Sequence, residues 1–237
     1  MIDFHTHILP GIDDGSRNVE ISIQMLHEEK QMGIDHVVFT PHFYANRNSI
    51  DNFLKHRNRS IQQLQAEVER CPELSGMKYN YGAEVYYFGG IGNASGVKKL
   101  CIADTDILLL EMPFCQWTDE MYTDIVHLQR KQGLTVVLAH IERYSDFQKK
   151  MHVWDQVFEL PVIAQMNAGP FMDWKRRRKV LKLASAQDQL LLGSDAHNMD
   201  NRRPNVAGAI EVIQKKLGDH MTATISRTEQ LLLGDIR

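Results

Sequence analysis

Seven apolar, strand-like runs punctuate this 237-residue chain, and six of them end in, or lead directly to, a histidine, aspartate or glutamate. They are Ile2 to Phe4, ahead of His5 and His7; His36 to Thr40, ahead of His42; and Lys78 to Tyr87, which carries Glu84. Ile107 to Leu110 precedes Glu111, Thr135 to Ala139 precedes His140, and Gln189 to Gly193 precedes Asp195 and His197; the seventh run, Val162 to Met166, ends at Asn167. Helical spacing intervenes: Val19, Ile23, Leu26 and Met32 recur near the 3.6-residue period, and Gly33 closes that helix as a C′ residue does. Strands alternating with helices predict a parallel sheet with crossover helices. In β/α barrels the carboxyl ends of the strands face one mouth, where functional groups collect. The length suits one such barrel, so a single α/β domain over residues 1–237 is expected.

Further helices are expected from about 50 to 70, 119 to 132, 173 to 187 and 205 to 217, with a short amphipathic segment near the C-terminus. Residues 88 to 100, with four glycines, read as a loop, with a short helical turn inside it as the second reading. Its Gly89-Gly90-Ile91-Gly92 is not a P-loop, since no Lys-Ser or Lys-Thr follows. Lys175-Arg-Arg-Arg-Lys179 reads as a solvated helix face, with a docking patch for an acidic partner as the second reading.

On a strand, alternate side chains point the same way, so His5 and His7 can grip one cation from one side. Several carboxylates converging with imidazoles need cations to offset their desolvation. A metal centre is therefore expected at the strand ends. A Cys-x5-Arg nucleophile loop is excluded, because Cys71, Cys101 and Cys115 are followed at that distance by Met77, Ile107 and Met121. An aspartyl-phosphate motif is also missing, because Asp104-Thr-Asp106-Ile-Leu108 lacks the required threonine.

A net charge of −3 argues against a dedicated nucleic-acid binder. No apolar run approaches the ~20 residues that span a bilayer, so no membrane insertion is expected. The N-terminus lacks a signal-peptide pattern, and the odd, widely spaced cysteines fit reduced thiols. A cytoplasmic location is the expectation.

Six segments in order, MIDFHTHILPGIDDG, TPHF, YGAEVYY, LLLEMPF, VVLAHIERY and LLGSDAHN, carry a resemblance covering nearly the whole chain. The sequence resembles the polymerase-and-histidinol-phosphatase (PHP) class and, within it, the bacterial capsule-biosynthesis protein-tyrosine phosphatases. The resemblance implies a distorted seven-stranded β/α (TIM-like) barrel and a trinuclear, manganese-dependent site, with Fe²⁺ or Zn²⁺ compatible with the same ligands. Carried over residue by residue, His5, His7, Glu84 and Asp195 would hold the first ion, Glu84, Glu111 and His140 the second, and Asp14, His42 and His197 the third. Glu84 would bridge, and Asp13 would serve as a turn residue or support a ligand.

Arg143 and Arg202 resemble the family's phosphate-binding arginines, with Arg203 able to take the place of Arg202. The implied substrate is a phosphotyrosine on the tail of a capsule-associated bacterial tyrosine kinase. The implied chemistry is direct attack on phosphorus by water whose pKa the metals lower from ~16 towards ~7. His42 or His197 would act as proton donor only if free of metal. Phe43, Tyr44, Tyr86, Tyr87 and Phe114, each next to a ligand position, are expected to line the mouth and stack on a phenyl ester. The alternatives are another metal hydrolase, such as a histidinol-phosphate phosphatase, a nuclease or an amidohydrolase, and a non-catalytic scaffold that binds the kinase.

Overall fold

Ile107–Glu111 is buried at every position, the signature of a strand covered on both faces. Its alternate residues serve two cores: Ile107 and Leu109 join a small inner cluster with Phe4, Val38, Val137 and Leu191. Leu108 and Leu110 join the larger cluster beneath the helices. The computed structural model describes residues 1–234. Nine strand segments are present among them: β1 (Ile2–Thr6), β2 (His36–Phe39), β3 (His42–Phe43), β4 (Lys78–Tyr81), β5 (Glu84–Tyr86), β6 (Ile107–Glu111), β7 (Thr135–Leu138), β8 (Ile163–Asn167) and β9 (Leu190–Gly193).

Every named pairing is parallel, as the alternating pattern predicts. The strands form two sheets, ordered β1-β2-β4 and β3-β5-β6-β7-β8-β9. The run expected over His36 to Thr40 is β2, and the chain breaks as expected at Pro41, which has no N–H to donate, before β3 begins at His42. The single strand expected over Lys78 to Tyr87 is likewise cut at Gly82-Ala83, so Glu84 begins a strand of the second sheet. The sheets meet where Thr6 bridges Ala196, the His7 amide donates to the Ala196 carbonyl (2.9 Å) and the Asp195 amide to the His5 carbonyl (2.8 Å).

The helices are α1 (Val19–Gln31), α2 (Ile50–Val68), α3 (Asp119–Arg130), α4 (His152–Glu159), α5 (Gly169–Met172) and α6 (Arg177–Ala184), which lie between strands, and α7 (Val206–Leu217) and α8 (Asp219–Leu233), which follow β9. Asn18 and Ser49 cap α1 and α2 by accepting the amides of Ile21 and Asn52. Two expectations are corrected, over 173–187 and at the C-terminus. The helix foreseen over 173–187 is confined to α6; a separate single turn, α5, precedes it, and Asp173 between the two accepts the Lys175 amide. The C-terminal segment is a 15-residue helix, α8, whose Leu233 closes the inner cluster. The 88–100 loop contains two short 3-10 turns, tied to α3 by Asp124, which accepts from the Tyr87 hydroxyl and the Gly90 and Gly92 amides.

Candidate metal centre

β1 delivers His5 and His7 with their Nε2 atoms 3.1 Å apart. The far nitrogen of each ring is already committed. His5 Nδ1 donates to Gln165 Oε1 (3.0 Å), an oxygen that also accepts the His140 amide (2.8 Å), and His7 Nδ1 donates to Asp13 Oδ2 (2.7 Å). His197 follows the same rule, its Nδ1 donating to the Asp195 carbonyl (2.9 Å). Three imidazoles thus have the tautomer pinned from outside and turn Nε2 inward, the arrangement that suits metal-ligating histidines.

All nine expected ligands come together. Glu84 Oε2 lies 3.3 Å from both His5 Nε2 and His7 Nε2 and 2.9 Å from His42 Nδ1. Its other oxygen is 2.8 Å from His140 Nε2, which is 3.5 Å from Glu111 Oε1. Asp195 Oδ1 stands 3.4 Å from His7 Nε2, and Asp14 Oδ1, at the exposed rim, stands 3.6 Å from Nε2 of both His42 and His197. Two of these residues adopt left-handed backbone: His140 at φ 33° and Asp195 at φ 54°. Strain of this kind costs about 1–3 kcal/mol and persists where the surroundings enforce it.

The donor set fits cations. Glu84 Oε2, Glu111 Oε2, His42 Nδ1 and His197 Nε2 are buried without a hydrogen-bond partner. His42 Nδ1 and Glu84 Oε2 are 2.9 Å apart without the alignment of a hydrogen bond. Donors bound at ~2.1 Å to one ion lie roughly 3.0–3.4 Å apart, the range of the His5–His7, His5–Glu84, His7–Glu84 and His7–Asp195 separations. Among the described residues three groups are positioned to hold an ion: His7, His42 and His197; His5, His7 and Glu84; His42, Glu84 and Glu111.

Electrostatics point the same way. Burial pushes Glu84 up, but the imidazoles around it, led by His5, more than reverse this and hold it well below the usual carboxylate range. Burial, then Glu84, raises Glu111 to about 7. Burial, reinforced by His7, lowers His197 to about 4, whereas for His7 itself the Asp13 carboxylate overcomes burial and lifts it well above its ordinary value. Against burial, the carboxylates around them raise His5 as well as His7, so these two imidazoles are the ones that hold a proton against the carboxylate charge.

Asp13 sits behind the cluster, accepting from His7, from the Gly15 amide (2.9 Å) and from the His42 amide (3.0 Å). The turn is tight: a Cβ on Gly15 would meet the His7 carbonyl at 2.1 Å. Arg202 places Nη2 2.7 Å from Asp195 Oδ1; Arg143 lies 3.8 Å from Asp195 Oδ2 with its guanidinium over the Phe114 ring. Arg203 turns away and grips Glu28, so it does not stand in for Arg202. A cavity of about 570 Å³ opens beside Arg143, Asn167, Asp195 and Arg202, and another of about 410 Å³ beside Asp14, His42 and Tyr44. A larger depression of about 790 Å³ between α1 and α2 touches none of the ligand positions.

Two expected wall residues are elsewhere. Phe43 is buried against Phe53, and the Tyr87 hydroxyl is spent on Asp124, whereas Tyr44, Tyr86 and Phe114 do face the cluster. Sequence reading passed over Gln165 and Asn167 as site residues. Gln165 donates to Asn167 Oδ1 and fixes His5 and His140, while Asn167 Nδ2 donates to Asp195 Oδ2 (2.9 Å). Their signal was two amides at strand spacing inside an otherwise apolar, fully buried strand.

Parallel strands that deliver histidines and carboxylates to one arginine-flanked cluster define an α/β protein with a candidate multinuclear metal centre. The chain belongs to the capsular polysaccharide synthesis CpsB/CapC family, whose model matches residues 1–232. It is 26% identical over 227 residues to tyrosine-protein phosphatase CpsB of Streptococcus agalactiae, covering 92% of this chain and 91% of that protein. It is 25% identical over 242 residues to tyrosine-protein phosphatase YwqE of Bacillus subtilis, covering 98% and 91%. The solved structures of YwqE and of CpsB from Streptococcus pneumoniae, described as unique metal-dependent tyrosine phosphatases, include a chain that superposes with a TM-score of 0.85 at 25% identity, over 99% of this chain and 95% of that one. The phosphotriesterase homology protein of Escherichia coli shares the fold, with a TM-score of 0.56 at 11% identity over 98% of this chain and 97% of that one.

Proposed function

We propose that this chain is a manganese-dependent protein-tyrosine phosphatase that acts in the cytoplasm on the phosphorylated tail of a capsule-associated tyrosine kinase. The observation that carries the reading is the set of inward-facing, externally pinned Nε2 atoms around a bridging Glu84, with Arg143 and Arg202 alongside. The nine donors suit a trinuclear centre: His5, His7, Glu84 and Asp195 for one ion, Glu84, Glu111 and His140 for another, and Asp14, His42 and His197 for the third. The mixed oxygen and imidazole set accepts Mn²⁺ or Fe²⁺ and also Zn²⁺. When bound, the ions neutralise phosphoryl charge and lower the pKa of water to make a nucleophile near neutral pH.

The protein's own residues do the rest. Arg143 and Arg202 meet the non-bridging phosphoryl oxygens, where a planar guanidinium makes paired contacts. Tyr44, 5.2 Å from His42 and 5.6 Å from Tyr86 between ring centroids, supplies an aromatic wall for the phenyl ring. A phenolate leaving group, with a conjugate acid of pKa ~10, needs little acid help. That matters here because burial keeps His197 near 4 and hence neutral at pH 7. We also read the two sheets as one distorted seven-position barrel over a single 1–237 domain, supported by the Thr6–Ala196 bridge and the flanking hydrogen bonds. No described helix is long and apolar enough to cross a membrane.

Matched phosphotyrosine and phosphoserine peptides test the reading. The Mn²⁺-loaded protein should favour phosphotyrosine in kcat/KM and lose turnover on chelation. Equal rates on both, or faster turnover of histidinol phosphate, would assign the site to another phosphomonoester.

A further inference from the structure

The basic run Lys175-Arg-Arg-Arg-Lys179 is not a uniform solvated face. Arg177 is structural, donating to the carbonyls of Phe171 and Met172. Lys175 lies over the ring of Trp174, which is 77% exposed. Arg176 and Lys179 instead turn into the cavity of about 570 Å³ that also exposes Arg143, Arg202 and Asp195. Four cations therefore line one opening that begins at the reacting end of the site.

The carboxylates on the same walls do not neutralise it. Asp195 belongs to the ligand cluster and Arg202, and Glu142 turns to the Asn167 amide. That leaves Asp146, the partner of Lys179, and Asp173, just outside, the partner of Arg176. Both are solvated pairs, of the kind worth about 0–1 kcal/mol and readily exchanged for another anion. A phosphate held by Arg143 and Arg202 would leave Arg176 and Lys179 facing whatever flanks it in the substrate chain.

We propose that this cavity is a subsite for an acidic side chain flanking the phosphotyrosine, with Arg176 and Lys179 as the residues that select for it. The inference rests on the phosphatase reading above. It converts the run from a general basic patch into a substrate filter continuous with the site.

The test compares kcat/KM on two phosphotyrosine peptides that differ only in flanking Glu or Gln, using Mn²⁺-loaded wild type, Arg176→Ala/Lys179→Ala and Arg178→Ala. Wild type should favour the Glu peptide by roughly 3- to 10-fold, and the preference should fall as salt is raised. The double variant should bring the ratio close to 1, while Arg178→Ala, exposed and outside the cavity, should keep the wild-type ratio. A wild-type ratio of 1, or a double variant that keeps the wild-type ratio, overturns the subsite. If the double variant keeps that ratio but loses co-sedimentation with phosphatidylserine vesicles, the patch is a membrane dock and the proposal fails. Turnover of p-nitrophenyl phosphate separates the two levels: activity on it with a peptide ratio of 1 sinks the subsite alone. Inertness towards it and both peptides sinks the phosphatase reading and the subsite with it.

Discussion

Replacing Asp13 by Asn should weaken metal binding without removing a ligand. The carboxylate accepts three hydrogen bonds, from His7 Nδ1 and from the amides of Gly15 and His42. Asn has a single acceptor oxygen, so at least one of those donors would meet an NH₂ group. Loss of such outer support typically costs 10- to 100-fold in metal affinity, or about 1.4–2.7 kcal/mol. In the metal-free protein the same pair is visible as pH-dependent stability. Burial alone would raise Asp13, but His7 and the two amides bring it down to about 2. A fall of that size corresponds to about 2–3 kcal/mol at neutral pH, present above the unfolded pKa of ~3.9 and lost as the pH drops towards 2. The raised pKa of His7 contributes below the unfolded value of ~6.5 and is lost as pH climbs through the folded one. The stability deficit of metal-free Asp13→Asn should therefore be largest between about pH 4 and 6.5. Titration calorimetry with Mn²⁺ and urea melts of metal-free protein across that range measure both quantities. Affinity within twofold of wild type, with a pH-independent deficit, would refute the role given to Asp13.

Gly193→Ala should lower Tm and loosen the cluster, because its Cβ would stand 2.5 Å from His5 Cβ and 2.9 Å from Gln165 Nε2. Overpacking of this sort costs about 1–3 kcal/mol and is read by thermal denaturation. Arg143→Lys should lower kcat about 10²- to 10³-fold on phosphotyrosine peptide, since a point charge cannot repeat the paired contact; a rate within twofold of wild type would make Arg143 a surface residue. The Cys71→Ser/Cys101→Ser/Cys115→Ser variant should keep its turnover, with a modest loss of stability from the buried Cys101, whereas a folded but inert variant would return thiol chemistry to consideration.

Much of this molecule was legible in its sequence because one rule recurs: an apolar run followed by a donor. That rule located β1, β6, β7 and β9 and the ligands behind them, and the resemblance supplied the grouping. It could not show where a run breaks. Gly82 marks a weak point in the run, which a bulge would also explain, and nothing local says that Gly82-Ala83 passes Glu84 to the second sheet. Nor does adjacency to a ligand decide which way an aromatic points. Phe43 ends β3 and Tyr44 lies just beyond it, and the two face different ways, one to Phe53 and one to His42. Arg202 and Arg203 could not be told apart until Glu28, on a helix distant in sequence, was seen to hold the second. Gln165 and Asn167 were visible as strand-spaced amides, but their meaning depends on partners on three other elements.

The central claim is that metal held by the nine-residue cluster supports phosphotyrosine hydrolysis. Elemental analysis and phosphotyrosine-peptide turnover on the same samples, taken through a graded Mn²⁺ titration of chelator-stripped protein, test it most directly. Turnover should be negligible in stripped protein and rise with bound metal until the three ligand groups are filled. Full turnover by protein carrying no metal, or no turnover by protein carrying its full complement, would contradict the account.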